Sequence, residues 1–596
     1  MEFIIQNFVP LLFAALLFFI LTGFPVAFSL AATGLTMGLI GMEAGMFPST
    51  LFQALPLRIF GIMQNDTLLA VPFFVFMGII LERSGMAEDL LETIGQTFGP
   101  VRGGLALATI LVGALLAATT GVVAASVISM GLISLPIMLR YGYNRSIVTG
   151  VICASGTLAQ IIPPSVVLIV MADQLGVSVG AMYAGAVGPG LLLVGLLALF
   201  IIALAIFKPS FVPALPPEAR IYGEANGASG HKSLLLLLLI AAVAASAWIY
   251  MHDSIVNRLL GTNVKAPMDE VITVAMSVAA AVMLVLALSN RWLHLGLVSK
   301  LAERVVFVLL PPLVLIFLVL GTIFLGVATP TEGGAMGAIG ALIMAVARRQ
   351  LNFKLFKQAL DNTASLTCFV IFILVGATVF SFTFNAADGH FFVEHLFAKL
   401  PGGQLGFLIA VNVLVFILGC FIDFFEIAFI VIPLLVTVAS KLNIDLVWFG
   451  VVIGMNLQTS FLSPPFGFTL FFMRSVAPKE DYYDRVTNKL ISAVTTAQIY
   501  KGAFLFIGIQ LIALAATIAF PTLVSMSLDK APAANLETMK IEAETGDYGP
   551  AAKDPLKMST PQPAGGKTTP EAVSTTKEED PMEAVQRSLE QDVKKK

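Results

Sequence analysis

Two proline pairs stand inside hydrophobic segments long enough to cross a bilayer, and few folds accommodate that. The first closes the stretch Ala154-Ser-Gly-Thr-Leu-Ala-Gln-Ile-Ile-Pro-Pro-Ser165, within an apolar run from about 146 to 172. The second closes Gly454-Met-Asn-Leu-Gln-Thr-Ser-Phe-Leu-Ser-Pro-Pro-Phe466, within a run from about 446 to 473. Proline carries no N–H and disfavours the α conformation at the residue before it, so carbonyls ahead of each pair lose their intrahelical donors. Backbone of that kind is tolerated at membrane depth only when it is buried in protein or lines a polar cavity. Each segment is therefore a broken helix, and the chain carries two copies of it. Pro136 and the Gly121 turn precede the first copy, and Pro433 and the Leu418-Gly-Cys-Phe-Ile-Asp423 turn precede the second. Matching interrupted segments in two halves point to a binding site at their meeting place.

The rest of the composition agrees with a bilayer as solvent. Of 596 residues, 58% are hydrophobic and only 12% charged, with mean hydropathy +0.92; soluble domains carry about twice that charge. An all-α polytopic membrane protein follows. The net charge of −3 and the lack of a basic patch give no reason to expect a nucleic-acid partner. Cys153, Cys368 and Cys420 lie singly in apolar segments, and the five histidines are scattered, without metal or redox spacing. No phosphate-binding Gly-x4-Gly-Lys-Ser/Thr loop, His-Glu-x-x-His or Gly-x-Ser-x-Gly occurs, so neither an enzyme nor a nucleotide motor is expected and no cofactor. Energy for any transport then comes from an ion gradient. The apolar N-terminus, with Glu2 in place of a basic leader, reads as a first membrane helix and not as a cleaved signal.

In chain order, residues 1–102 read as N-terminal scaffold helices, with one long or kinked span over 4–40, an interfacial connection over 42–65 and a short span over 67–82. Residues 103–184 hold a first helical hairpin (103–140) and the first broken helix. Residues 185–400 are scaffold and arm helices that include an extra two-helix insert at about 220–300. Residues 401–475 hold the second hairpin (405–441) and the second broken helix, 476–527 a C-terminal helix, and 528–596 a charged, Pro- and Thr-rich tail expected to be disordered. Each hairpin arm of about 17 residues barely crosses a hydrocarbon core of about 30 Å. Two readings fit: a re-entrant hairpin with its tip at membrane depth, or two ordinary spans with an external turn. The basic residues set the orientation. Placing Arg102, Arg140 and Arg145 inside also places Lys208, Arg291, Arg348, Arg349, Lys354 and Arg474 inside, and leaves Arg58, Arg258, Lys265, Lys399 and Lys441, with the lysines of the tail, outside. The two hairpins then enter from opposite sides, as an inverted repeat requires.

A cation at mid-membrane takes its oxygens from carbonyls freed at helix breaks, from hydroxyls and from the negative ends of half-helices. Thr119, Thr120 and Gly121 at the first tip are placed to face Gly156, Ala159 and Pro164 in the first break. Gly419 at the second tip is placed to face Asn456, Thr459 and Ser460 in the second. Small residues at these positions equally suit close helix packing. Asp423 and Glu426 are charges inside a membrane hairpin and thus functional candidates; Asp423 either touches substrate or caps the second arm. Ser165 opens a half-helix whose free N–H groups suit a carboxylate, or serves as a structural cap. Glu332, after Thr329-Pro-Thr331, reads as an interfacial charge.

At these residues the sequence resembles the large membrane subunit (DctM type) of tripartite ATP-independent periplasmic (TRAP) transporters. The resemblance rests on Asn65-Asp-Thr-Leu-Leu-Ala-Val-Pro-Phe-Phe74, Arg102-Gly-Gly-Leu105, Thr120-Gly121, Gly142-Tyr143, Ile162-Pro-Pro-Ser165, Gly185-Ala-Val-Gly-Pro-Gly190, Ala328-Thr-Pro-Thr-Glu332, Phe449-Gly450 and Ser463-Pro-Pro-Phe-Gly467, across most of 1–210 and 300–520. It implies an elevator-type sodium symporter in the bacterial inner membrane. Its partners would be a small four-helix membrane subunit (DctQ type) and a soluble periplasmic binding protein that captures a small organic acid. The family's sodium sites carry over to Thr120, Gly156, Ala159 and Pro164, and in the second repeat to Thr459 and Ser460; its substrate region carries over to Ser165 and Asp423. The chain departs from the family at Val122, where a serine is common, and in the 220–300 insert and the tail. A single-component sodium-dicarboxylate symporter of related architecture is the alternative.

Overall fold

The computed structural model describes residues 2–525 apart from 122, 221–229, 261–267, 294–297, 400, 465–466 and 485, so the expected tail lies outside the described residues. The chain begins with α1 (Glu2–Gln6), α2 (Phe8–Leu21), α3 (Val26–Glu43), α4 (Leu55–Met63), α5 (Ala70–Arg83) and α6 (Met86–Phe98). The first hairpin is α7 (Gly104–Thr120) with α8 (Val123–Arg140), and the first broken helix is α9 (Arg145–Thr157) with α10 (Val166–Leu175). Next come α11 (Val179–Phe207), α12 (His231–Leu260), α13 (Met268–Leu293), α14 (Lys300–Phe324), α15 (Pro330–Ala347), α16 (Phe353–Ala386) and α17 (Gly389–Ala398). The second hairpin is α18 (Gly403–Gly419) with α19 (Phe424–Lys441), followed by the broken pair α20 (Leu446–Ser460) and α21 (Phe468–Val476) and by α22 (Thr496–Ala519). Among the described residues ten helices are long and apolar enough to cross a membrane. The protein is a multi-pass, all-α membrane protein.

The two halves repeat each other in backbone detail. Arms of 17 and 18 residues form both hairpins. Left-handed residues recur at matched places: Gly23 with Gly326, Gly85 with Asp388, Gly103 with Gly402, and Gly142 with Asn443. Asn144 caps α9 by accepting from Ser146 and Ile147 N–H, and Asp445 caps α20 by accepting from Trp448 N–H.

Contacts between the halves are exchanged in pairs. α16 packs on α3 while α15 packs on α5; α9 packs on α22 while α20 packs on α11; α10 packs on α19 while α21 packs on α8. Reciprocal exchange of this kind is what a twofold axis produces, and the basic-residue bias, which puts the two hairpins on opposite sides, makes the repeat an inverted one. Gly150 and Gly502 allow the α9–α22 backbones to touch, since a Cβ on Gly150 would lie 2.9 Å from Gly502 O. The insert α12–α13 stands outside this symmetry and packs on α14 through a small apolar cluster of Leu237, Ala287, Val306 and Leu310.

Several elements differ from expectation. The span over 4–40 is divided among α1, α2 and α3, the main break coming where Gly23 turns left-handed and Pro25 caps α3. The short span over 67–82 continues into α6 after a 60° bend at the left-handed Gly85. α6 and α17 were not anticipated. α6 carries Glu88, Asp89 and Glu92, and its apolar face is hidden in a window that averages over both faces. Its Asp89 is paired with Arg304 (3.2 Å) and with Arg348, which ties α6 to α14 and α15. Glu332 is exposed and also completes a capping box with Thr329 at the start of α15, a role beyond that of an interfacial charge. A two-residue β-ribbon (Tyr482–Tyr483 with Leu490–Ile491) follows α21 and presents the buried Asp484 to Arg140, N–O 2.9 Å.

Candidate functional site

Gly121 and Gly419, where the first arm of each hairpin ends, are buried against the helix breaks, an arrangement that fits re-entrant hairpins better than external turns. Gly121 closes α7 in the left-handed conformation, φ +59°, its N–H returning to Ala117 O. A Cβ there would sit 3.1 Å from Val166 Cγ2 and 3.2 Å from Val166 N, so the tip backbone rests on the first residue of α10. Thr119 is buried and donates its hydroxyl to Leu116 O at 3.0 Å. Thr120 ends α7; its side chain, like all of Val122, lies outside the described residues. At the second tip a Cβ on Gly419 would overlap Ser460 Oγ, and Cys420 Sγ reaches Ser460 O at 4.0 Å. The structure thus brings Gly121 to Val166 and Gly419 to Ser460.

The breaks show where their carbonyls go. After α9 a 3-10 turn over Leu158–Gln160 leads to the Pro163–Pro164 pair, joined by a cis bond. Ile161 and Ile162 N–H both turn back to Leu158 O, at 3.1 and 2.9 Å. Pro163 and Pro164 withhold the donors that Ala159 and Gln160 carbonyls would meet four residues on. Ser165 supplies one replacement, its hydroxyl donating to Gln160 O at 3.0 Å, while its own carbonyl accepts from Tyr183 OH at 3.3 Å. Ser165 is fully buried and its side chain does not cap α10. Ala159 is buried in the turn, which packs on α7, and Pro164 is buried beside it. Gly156 is placed differently: a Cβ there would lie 3.2 Å from Val127 Cα and N, so it serves the close packing of α8 on α9.

The second break is more completely bonded. Thr459 Oγ1 donates to Met455 O (2.9 Å), Ser460 Oγ to Leu457 O (2.8 Å), and Ser463 N–H to Ser460 O (2.9 Å). Asn456 is turned away from the tip: its Nδ2 donates to Asn412 O (2.6 Å) and Oδ1 (3.0 Å), which fastens α20 to α18. Asp423 is half-buried and caps α19 in a reciprocal box with Glu426, whose carboxylate accepts from Asp423 N–H at 2.9 Å.

Sequence reasoning missed a set of buried amides between the breaks. Gln510 of α22 donates to Thr157 Oγ1 at 3.2 Å. Gln160 Oε1, Gln510 Oε1 and both amide atoms of Gln458 are buried with no hydrogen-bond partner, and α20 touches the Leu158–Gln160 turn. Unpaired buried amides are costly; three glutamines in apolar helices were the available signal. Among the described residues no three His, Cys, Asp or Glu side chains converge, so oxygen ligation here falls to carbonyls, hydroxyls and amides.

A twofold-repeated helical membrane protein whose buried hairpin tips sit on two broken helices is a membrane transporter by architecture. A family model described as "Tripartite ATP-independent periplasmic transporter, DctM component" matches residues 13–523, and the chain belongs to that family. It is 26% identical over 443 residues to the C4-dicarboxylate TRAP transporter large permease protein DctM of Pseudomonas aeruginosa, covering 74% of this chain and 85% of that one. It is 24% identical over 470 residues to the isethionate TRAP transporter permease protein DctMQ of Oleidesulfovibrio alaskensis, covering 78% and 60%. It is 25% identical over 455 residues to the sialic acid TRAP transporter large permease protein SiaM of Vibrio cholerae, covering 76% and 86%. Among solved structures, the Alcanivorax borkumensis YdaH transporter aligns over 80% of this chain and 89% of that one, with 12% identity and TM-score 0.44.

Proposed function

We propose that this permease imports a small organic acid across the bacterial inner membrane, driven by sodium, and receives it from a periplasmic binding protein together with a small four-helix subunit. The observation that carries the reading is the pair of twofold-related tips resting on helix breaks, with a carbonyl at Ala159 whose donor Pro163 removes. In this reading one sodium is held between the first tip, Thr120 and Gly121, and the first break, Ala159 and Pro164, with Gly156 letting α8 close on the break. Another is held where Gly419 meets Thr459 and Ser460. Asp423, half-buried at the second tip, faces the substrate's polar groups, and Ser165 shapes the first break beneath it. The hairpins and broken helices move together as an elevator against the remaining helices. The names of the relatives support an organic anion as cargo, since they carry a C4-dicarboxylate, isethionate and sialic acid; the name DctMQ supports a Q-type partner. Each sodium entering supplies about 2.3 kcal/mol per 100 mV and about 1.4 kcal/mol per tenfold gradient, enough for two ions to concentrate an anion strongly.

The test is uptake of labelled organic acids into proteoliposomes under an imposed sodium gradient, with and without the binding protein and the small subunit. Uptake that requires sodium and both partners supports the reading. Uptake by this chain alone identifies a single-component symporter instead, and flux indifferent to sodium refutes the coupling.

A further inference from the structure

A cavity of about 440 Å³ lies between α16, α19, the end of α10 and the segment containing α4, and Arg58, Gln174, Thr378, Ser381 and Asn385 give it its polar lining. Its volume falls in the usual range for small-molecule sites. α16 turns one face to it: Leu374, Thr378, Ser381 and Asn385 follow one another at helical spacing along its C-terminal half, placing two hydroxyls and an amide in file. Phe429 and Pro433 of α19 close the opposite wall.

The charge of this cavity is one-sided. Arg58 is the only charged side chain in its lining, and among the described residues it makes no ion pair. The nearest acid in sequence to the lining, Asp173, has both oxygens occupied by amides: Asn65 Nδ2 donates to Oδ1 at 2.7 Å and Gln174 Nε2 to Oδ2 at 2.9 Å. Lys441 at the far end of α19 is instead held by Glu394 at 2.5 Å. The bias of basic residues puts Arg58 on the outer side. The cavity therefore runs from an outer rim at Arg58 and Asn385 toward the middle of α16 and of the second hairpin.

We propose that this cavity is the receiving site for the carboxylate of the incoming organic acid, with Arg58 as its electrostatic anchor, occupied before the substrate reaches the hairpin tip. The proposal rests on the transport reading above and deepens it. Arg58 supplies charge and a planar donor fork suited to a carboxylate, and Gln174, Thr378, Ser381 and Asn385 supply neutral donors for the remainder of the molecule.

The experiment reads anion selectivity in the cavity directly. Cys368 is the exposed native thiol, whereas Cys153 and Cys420 are buried, so Cys368→Ser gives a quiet background for Ser381→Cys as reporter. With the full chain and its partners in proteoliposomes, the labelling rates of an anionic and a cationic methanethiosulfonate are compared. An unscreened positive charge lining the same cleft favours the anionic reagent, and Arg58→Ala should lower the anionic-to-cationic ratio by about tenfold. Arg58→Lys should keep most of it. Any acid that the vesicles accumulate should slow the anionic labelling in the Arg58 protein and lose that protection with Arg58→Ala. An unchanged ratio in Arg58→Ala overturns the proposal, as does full labelling in the presence of a transported acid. If the wild-type protein accumulates no acid under a sodium gradient, the transport reading fails, and the labelling ratio still decides whether the cavity selects anions.

Discussion

Replacing Gly121 by alanine separates the tip-on-break contact from ordinary backbone strain. An alanine forced to φ +59° costs roughly 1–2 kcal/mol in the left-handed region. At Gly142, φ +79°, the same conformational cost applies, but nothing lies within 4 Å of the added Cβ. At Gly121 the Cβ also meets Val166 N at 3.2 Å and Val166 Cγ2 at 3.1 Å, and the backbone atom cannot rotate away. The tip must lift from α10 by a few tenths of an ångström, and an ion held between tip and break loses ligand geometry on one side. Gly142→Ala should therefore lose about 1–2 kcal/mol of stability in detergent, and Gly121→Ala at least as much. They should differ in sodium dependence: half-saturation for uptake should rise about tenfold in Gly121→Ala, equivalent to about 1.4 kcal/mol, and stay within about twofold of wild type in Gly142→Ala. Equal sodium half-saturation in the two variants would refute the assignment of an ion to the first tip.

Other consequences are open to direct measurement. Asn456→Ala removes the donor for the buried Asn412 carbonyl oxygens and should cost about 1–3 kcal/mol; combined with Asn412→Ala the loss should be less than additive in thermal unfolding. Asp484 behaves differently with pH. Burial pushes its carboxyl up, but bonds from Thr487 N–H and hydroxyl and from Arg140 outweigh that and hold it at about 2, below the ordinary 3.8. A carboxyl lowered by folding adds stability above its unfolded value and loses it as pH falls through the folded value. Melting temperature should thus drop between about pH 4 and pH 2 in wild type, and Asp484→Asn should start lower and flatten that step. An identical step in the variant would show that other groups set the acid transition.

The class of protein was open to reading from the chain alone, because hydropathy and proline chemistry are local. Pro163–Pro164 and Pro464–Pro465 remove donors in any fold, and the segments around them are too apolar for water, so two broken membrane helices follow from covalent structure and composition. The hairpin arms were placed within a few residues for the same reason: Gly121 and the Gly419–Asp423 turn interrupt apolar runs of countable length. A cap at Asp423 was one of two roles that its position left open, and the box with Glu426 shows that it does cap α19. What the arms turn toward was not visible. Periodicity assigns a residue to a face, but not the partner which that face meets some hundreds of residues away. Gly419 does face Ser460 as its place in the second repeat suggested, but only the tertiary structure set Gly121 on Val166, turned Asn456 from the tip to Asn412, and gave Gly156 to helix packing. α6 escaped because a helix with one apolar face averages to unremarkable hydropathy, and α17 because its 10 residues are too few to cross a membrane. The buried glutamines and the cavity at Arg58 belong to the same category. Their surroundings are assembled from helices far apart in sequence, and the free energy of each polar group depends on which neighbours that assembly supplies.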